Sequence, residues 1–467
     1  MHRARTKCAV RKRCNISTIP PRPSSLAPRP LNLADWLDYQ QRVHPRSIDL
    51  GLARVREVWE RMGAPRPAPI VITVGGTNGK GSTVAFLQAM LGAMGRRVGC
   101  YTSPHLLRYN ERVRLPEGDV ADARLIEAFE RIEAARMLAF AIPLTYFEFG
   151  TLAALWIFSR SELDVAVLEV GLGGRLDAVN IVDADAAIVT TVDLDHQDWL
   201  GNDRDSIGRE KAGIFRQGRP AILGMAQPPA GLLDVATAIG AKVVRAGRDF
   251  DTTDHAGGWQ WRSRAMVLNM PHTLLAAPCQ HANAAAAVAA LYSLRQQIGW
   301  DEPALATGVR SASLPARLQR FARAGAADLV VDVAHNPQAA RVLAQWLDNE
   351  PIAGCTIAVF AALSDKDVRG MLEPLTQHID HWFICGLDTE TPRGLPASDV
   401  IARCEGLLQP ATVSLFPDPE AALGSARGAA HAGDRIIVFG SFYLAAAALE
   451  SNAWADGVPA EATASGV

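Results

Sequence analysis

The residues best suited by type and spacing to do chemistry lie in Gly75-Gly-Thr-Asn-Gly-Lys-Gly-Ser-Thr83. A β-branched apolar run over 70–74 precedes them, and a helical apolar pattern follows (Val84, Leu87, Met90, Leu91, Met94). Strand, glycine turn and helix N-terminus together cradle a polyphosphate. Backbone N–H groups and the helix dipole point at the anion, and a lysine adds a full charge. The stretch departs from the strict G-x-x-x-x-G-K-[ST] pattern: Val74 stands where the first glycine belongs, and Gly81 separates Lys80 from Ser82. The bland alternative is a glycine-rich β–α turn that binds nothing. The inserted glycine points to a particular subfamily of ATP users.

Four further clusters carry polar groups, three of them at strand ends. Glu169 closes a buried run and opens Gly171-Leu-Gly-Gly-Arg-Leu-Asp177; a carboxylate there suits Mg²⁺ held between protein and phosphates, or else it caps the turn. His196 stands among Asp193, Asp195 and Asp198, as a metal ligand or as a structural histidine satisfied by an acid. Lys211 precedes an apolar turn, and is either an ordinary surface lysine or, beside two metals, a carbamate. Asp332-Val-Ala-His-Asn-Pro337 is either a polar loop above a sheet edge, where α/β proteins bind ligands, or a plain Asx turn with a helix cap.

The elements that must position these groups are legible in outline. Nearly continuous apolar runs at 70–74, 164–170, 186–192, 221–223, 329–333, 356–360, 382–385 and 436–439 alternate with helical patterns, which indicates parallel α/β sheets. Segment 247–264 reads as a hairpin excursion and 282–294 as an alanine-rich helix. Ser313-Leu-Pro-Ala-Arg-Leu-Gln319 breaks the pattern, and the strand at 329–333 reads as the first of a second domain. The expected organisation is a basic disordered arm over 1–30, an α/β P-loop-type parallel-sheet ATPase domain over 31–315, a smaller C-terminal Rossmann-like α/β domain over 316–450 and a flexible tail over 451–467.

At 467 residues the chain has room for two or three cores. The net charge of −2 argues against a general nucleic-acid binder, although residues 1–30 hold eight Lys/Arg and no acid. That arm lacks the apolar core of a secretory signal, and no apolar run approaches a membrane span. Seven scattered cysteines without a C-x-x-C pair fit a reducing cytoplasm. The expectation is a cytoplasmic monomer with small-molecule substrates, no nucleic acid and no membrane.

In this order, the segments resemble the Mur ligase superfamily, and within it the bifunctional dihydrofolate synthase/folylpolyglutamate synthase family, from about Leu33 to Leu449. Besides the stretches above, Ser47-Ile-Asp-Leu-Gly51, Tyr101-Thr-Ser-Pro-His105, Thr145-Tyr-Phe-Glu148 and Glu210-Lys-Ala-Gly-Ile-Phe215 carry the resemblance. It implies that Thr77, Asn78, Gly79, Lys80, Gly81 and Ser82 hold ATP phosphates. It assigns a first Mg²⁺ to Ser103 and Glu169, a second to His196, and a carbamylated side chain to Lys211, so that Lys211 joins the metal ligands. Asn283, Arg317 and Asp332 would contact ATP. Ser47, Ile48, Asp49, Leu50, Thr145, Tyr146, Phe147, Glu148, Leu176, Asp177 and Ala178 would line the pterin site. His335 and Ser441 would receive the incoming glutamate, and Lys80, Lys211, His196 and His335 make up the catalytic set. One departure is visible: the family's Pro-Gly-Arg-Phe is here Pro315-Ala-Arg-Leu318, which restricts the backbone at Ala316 and removes an aromatic ring.

The implied activity is ATP-dependent addition of L-glutamate to 7,8-dihydropteroate and to tetrahydrofolates through an acyl phosphate, with a hinge near 312–318 closing the domains on ATP. Three readings compete with it: a monofunctional folylpolyglutamate synthase, a peptidoglycan Mur ligase, and a non-catalytic ATP-binding switch. The 145–148 and 176–178 segments favour a pterin over a nucleotide sugar. The retained phosphate loop and metal positions argue against a switch.

Overall fold

The computed structural model describes residues 30–44, 46, 48–322, 325–451 and 458–459. The basic arm apart from Pro30, the pterin-site candidate Ser47 and most of the tail lie outside the described residues.

The first sheet has eight strands in the order β4-β3-β2-β5-β1-β6-β7-β8. These are β1 (Ile70–Gly75), β2 (Val98–Tyr101), β3 (Val113–Leu115), β4 (Gly118–Asp119), β5 (Val165–Glu169), β6 (Ala186–Val189), β7 (Pro220–Leu223) and β8 (Lys242–Arg245). β2, β5, β1, β6, β7 and β8 run parallel, while β3 and β4 form an antiparallel edge. Alternate residues of the central strands enter two cores, so those strands read as unbroken apolar runs. Val71, Ala166 and Leu168 face the helices Leu33–Val43, Asp122–Arg136 and Tyr146–Phe158. Ile72, Val74, Val165 and Val167 face the helices Lys80–Ala93, Gln280–Ile298 and Glu302–Ser311. The chain leaves β1 toward β2 on one side and leaves β6 toward β7 on the other. The carboxyl ends of β1 and β6 therefore open a crevice of the kind that binds ligands in open α/β sheets.

The 247–264 excursion has one strand more than the sequence suggests. β9 (Phe250–His255), β10 (Gly258–Ser263) and β11 (Val267–Met270) form an antiparallel sheet, with Trp259 and Trp261 buried against the alanine-rich helix Gln280–Ile298.

The second large sheet has the order β16-β15-β14-β17-β13-β12-β18. Its strands are β12 (Gln319–Ala322), β13 (Asp328–Val331), β14 (Thr356–Phe360), β15 (His381–Cys385), β16 (Val413–Phe416), β17 (Arg435–Phe439) and β18 (Val458–Pro459). The reading of 329–333 as its first strand needs correction. β12 precedes β13 and pairs with it antiparallel. Gln319-Arg-Phe-Ala322 alternates half-buried and exposed residues and has one large apolar side chain, so no buried run announces it. The strand expected over 186–192 also ends early, at Val189, because Thr190 and Thr191 turn to bond the phosphate loop.

Candidate active site

The phosphate loop is fixed by close backbone contacts at two glycines. At Gly76 a Cβ would lie 1.9 Å from Thr190 Oγ1, and at Gly79 (φ +82°) it would lie 2.4 Å from Asn283 Oδ1. Any side chain would push the loop off β6 or off the helix Gln280–Ile298. Thr77 N donates to Thr191 O, and Asn78 N to Thr191 Oγ1. Gly79 then caps the helix Lys80–Ala93, and Lys80 lies across the loop with its Nζ donating to the carbonyls of Gly76 and Thr77 at 3.2 and 3.1 Å.

Glu169 ends β5 beside this loop. It is 4% exposed, and its Oε2 accepts a hydrogen bond from Ser103 N at 3.3 Å. Burial raises its pKa, while Lys80 and Arg317 pull it back. Lys211 closes the floor from the helix Arg204–Ala212. It is buried, and desolvation lowers its amine to about 7, with Lys80 adding repulsion. An uncharged amine can add to CO₂; a surface lysine at its usual pKa cannot do so readily. His196 sits in the left-handed region (φ +51°), and burial lowers its ring to about 4, which leaves a neutral imidazole fit to ligate. Among the described residues no group of three or more His, Cys, Asp or Glu forms a closed metal cage. Ser103 with Glu169, and His196 with Lys211, instead offer open oxygen and nitrogen sets. Mg²⁺ suits such sites, because phosphate oxygens and water complete its shell.

The opposite wall comes from the second sheet and its lead-in. Arg317 lies between Ala316 (φ +53°) and Leu318 (φ +51°), both buried and both in a region that non-glycine residues rarely enter. Leu318 packs into the second unit's core and also lines the cavity beside Arg317, and the guanidinium stands 5.5 Å from the Phe442 ring. Asp332 accepts from Leu318 N at 2.8 Å and Ala334 N at 2.7 Å; burial raises its pKa, against the pull of Arg317. With the 77–82 loop, Ser103, Glu169, His196, Lys211, Asn283 and His335, these residues enclose a cavity of about 260 Å³.

A larger cavity of about 1490 Å³ adjoins it, lined by Ile48, Asp49, Leu50, Thr145, Tyr146, Phe147, Glu148, Leu176, Asp177 and Ala178. Several of these side chains are already engaged. Thr145 and Glu148 form a capping box on the helix Tyr146–Phe158, and Arg54 bridges Glu148 and Asp49. Asp177 accepts from Leu172 N and Val179 N, yet burial still pushes its carboxyl up to about 7. The two cavities share Ser103, Pro104, Gly171, Leu172, Asp195, His196 and Gln338, so they meet at the metal-type groups.

Ser441 stands apart. It is 1% exposed, lines neither cavity, and caps the helix Phe442–Glu450 by accepting from Leu444 N at 3.1 Å. His335 does face the smaller cavity, with Nδ1 2.8 Å from Val333 O. Sequence reasoning missed the junction between the two units. Asn78 and Asn336 exchange two 2.9 Å hydrogen bonds, Lys366 Nζ donates to Asp195 Oδ1 at 2.9 Å, and Arg341 pairs with Asp193 at 2.7 Å. Lys366 lies well past the end of β14 at Phe360, so the strand-end carboxylate signal that found Glu169 and Asp332 does not mark it.

Comparison with known proteins places these features in context. The family described as "Mur ligase, glutamate ligase domain" matches residues 316–442. An Escherichia coli dihydrofolate synthase/folylpolyglutamate synthase is 44% identical over 421 residues, covering 90% of this chain and 95% of that protein. A Haemophilus influenzae relative of the same name is 39% identical over 441 residues, covering 89% and 96%. Among solved structures, E. coli FolC in complex with DHPP and ADP superposes with a TM-score of 0.83 at 43% identity, covering 91% of this chain and 98% of that one. A bifunctional folylpolyglutamate synthase/dihydrofolate synthase with Mn, AMPPNP and L-glutamate bound gives 0.81 at 43% identity, covering 90% and 97%.

Proposed function

This chain belongs to the bifunctional dihydrofolate synthase/folylpolyglutamate synthase family of Mur ligases, and on that premise we infer how its two cavities work together. The protein is a C–N bond-forming ligase of folate metabolism that uses ATP to join L-glutamate to 7,8-dihydropteroate and to tetrahydrofolates. The observation that carries the mechanism is the wall that the two cavities share at Ser103, Asp195 and His196; a nucleotide in one and a pterin-bearing acid in the other would meet there at their reactive ends.

A carboxylate is a poor electrophile toward an amine. The acceptor carboxylate attacks the γ-phosphorus in line, its oxygen bonding to phosphorus as the bond to ADP breaks. The glutamate amine then attacks the acyl carbon, and phosphate leaves with the former carboxylate oxygen. No side-chain nucleophile is required; positioning and charge stabilisation supply the rate. Thr77, Asn78, Gly79, Lys80, Gly81 and Ser82 hold the phosphates, with Asn283, Arg317 and Asp332 on the rest of the nucleotide. Ser103 and Glu169 would hold one Mg²⁺, and His196 with a carbamylated Lys211 a second; when bound, such ions neutralise charge on the phosphoryl oxygens. Ile48, Asp49, Leu50, Thr145, Tyr146, Phe147, Glu148, Leu176, Asp177 and Ala178, with Ser47, take the pterin side. His335 takes the glutamate.

The units 31–315 and 316–450 act as two domains that close through 312–318 and exclude water from the acyl phosphate. Among the described residues no helix is long and apolar enough to cross a membrane; we assign a cytoplasmic monomer. The test is ADP release with dihydropteroate and glutamate. Lys80→Ala lowers it about 10³-fold with the melting profile retained. Turnover in that variant near the wild-type rate would sink the phosphate-loop assignment.

A further inference from the structure

The larger cavity is bordered by five Lys/Arg side chains, and four have carboxylate partners. Arg46 stands 4.0 Å from Asp49, Arg341 pairs with Asp193, Lys366 with Asp195 and Arg393 with Asp365. Among the described residues the fifth, Arg112, has none. It is 8% exposed, and its Nε donates to His105 Nδ1 at 2.8 Å, a lone-pair acceptor on a neutral ring. The nearby carboxylates are committed elsewhere. Glu111 accepts from the N–H groups of Leu106, Leu107 and Arg108, while Asp119 and Asp122 stand within ion-pair distance of Arg114 and Arg108. The Arg112 guanidinium is held over two rings, 5.2 Å from Tyr109 and 5.4 Å from Tyr146. A buried cation without an anion is costly, and an anionic ligand relieves that cost.

Position identifies the anion. The Arg112 carbonyl accepts from Thr102 N, so its backbone is tied one residue from Ser103, at the nucleotide end of the cavity. Its side chain reaches Tyr146, in the pterin wall. Arg112 does not line the nucleotide cavity, so the phosphates of ATP are not its partner. It stands beside the path of the acceptor between its pterin and its reacting carboxylate. The two acceptors differ along that path. Dihydropteroate carries one carboxylate, the reacting one. A folate ending in glutamate reacts at its γ-carboxylate and retains an α-carboxylate alongside.

We propose that Arg112 binds the α-carboxylate of the terminal glutamate on a folate acceptor, and so determines how well the enzyme extends a glutamate chain relative to making the first addition. This rests on the ligase reading above. The experiment compares kcat/KM for tetrahydrofolate and for dihydropteroate, with ATP, Mg²⁺ and glutamate, in the full-length wild type, Arg112→Gln and Arg112→Lys. Taking both acceptors on one variant cancels any loss of folded protein. The tetrahydrofolate-to-dihydropteroate ratio falls about 10- to 100-fold in Arg112→Gln, mainly through KM for tetrahydrofolate, as expected for one charged hydrogen-bonded pair. Arg112→Lys retains part of the ratio. A ratio within about threefold of wild type, whether both acceptors suffer or neither does, would overturn the proposal, since a charge-assisted contact should exceed that. So would an Arg112→Lys as low as Arg112→Gln. A wild-type protein inactive with both acceptors would overturn the ligase reading itself.

Discussion

Glu169→Gln separates the metal role of this residue from a structural one, because the two predict opposite effects on stability. Glu169 is 4% exposed and its carboxylate accepts a single long hydrogen bond, 3.3 Å from Ser103 N. Among the described residues no Lys or Arg nitrogen comes within ion-pair distance of it; Lys80 and Arg317 act from farther away. A carboxylate so placed costs several kcal/mol to ionise, and the near-isosteric amide keeps the Ser103 bond while leaving an unpaired NH₂. The net gain to the ligand-free protein is about 1–3 kcal/mol, or a rise in Tm of a few degrees, roughly 2–5 °C. Ligand shows the reverse. For wild type, ADP with Mg²⁺ at 100 times Kd adds about 2.7 kcal/mol; a site weakened 100-fold leaves RT ln 2, about 0.4 kcal/mol. Melting curves with and without ADP and Mg²⁺, beside ADP-release rates, give both numbers. The variant melts higher than wild type without ligand, gains little from it, and turns over at least about 10³-fold more slowly. A variant that melts lower without ligand yet keeps the full ligand shift would show Glu169 to be a turn-capping residue, and the metal assignment would fall.

On the carbamate proposal, Lys211→Ala removes the nitrogen that would carry it; activity falls at least about 100-fold and millimolar acetate or formate restores part of it, since a carboxylate stands in for the missing anionic ligand. Wild type insensitive to removal of CO₂ and bicarbonate, together with no rescue of the variant, would contradict carbamylation. Asp177 gives a pH signature. Its folded pKa, about 7, lies above the ordinary 3.8, so in the free enzyme the carboxyl is protonated below about 7. This group's contribution to stability is present at low pH and is lost as pH rises from 3.8 through about 7. The pterin's N–H edge needs the ionised form, so KM for dihydropteroate rises as pH falls below about 7, and Asp177→Asn flattens that slope. A wild-type KM constant across that range would show that Asp177 does not meet the pterin as an ion.

The parts of this site that sequence exposes are those built from local backbone chemistry. A glycine turn ahead of a helix, and a carboxylate or histidine just past a buried strand, are set by neighbours a few residues away. That is why Lys80, Glu169, His196 and Asp332 stand out and do line one crevice. Roles made across the fold leave no such mark. Asn78 meets Asn336 at a separation of 258 residues, and nothing near either position announces the pair. Arg112 looks like any residue of an Asn-Glu-Arg-Val-Arg stretch until its carboxylate neighbours are seen to be taken. β12 was hidden because a short antiparallel strand that alternates half-buried and exposed residues needs few apolar residues. Ser441 has a residue type that suits glutamate binding, yet its oxygen is spent on a helix cap. The Ala316 and Leu318 departures do not dismantle the boundary; both residues adopt the left-handed conformation and Phe442 supplies the ring beside Arg317.

The central claim is that the acceptor carboxylate is activated as an acyl phosphate, so that one of its own oxygens leaves with phosphate. Dihydropteroate labelled with ¹⁸O in both carboxylate oxygens tests it in one experiment, with ATP, Mg²⁺ and glutamate, by mass analysis of the released phosphate. The account predicts that each phosphate carries one ¹⁸O and each dihydrofolate amide retains the other. Unlabelled phosphate, with one label in the amide and the other lost to water, would contradict it.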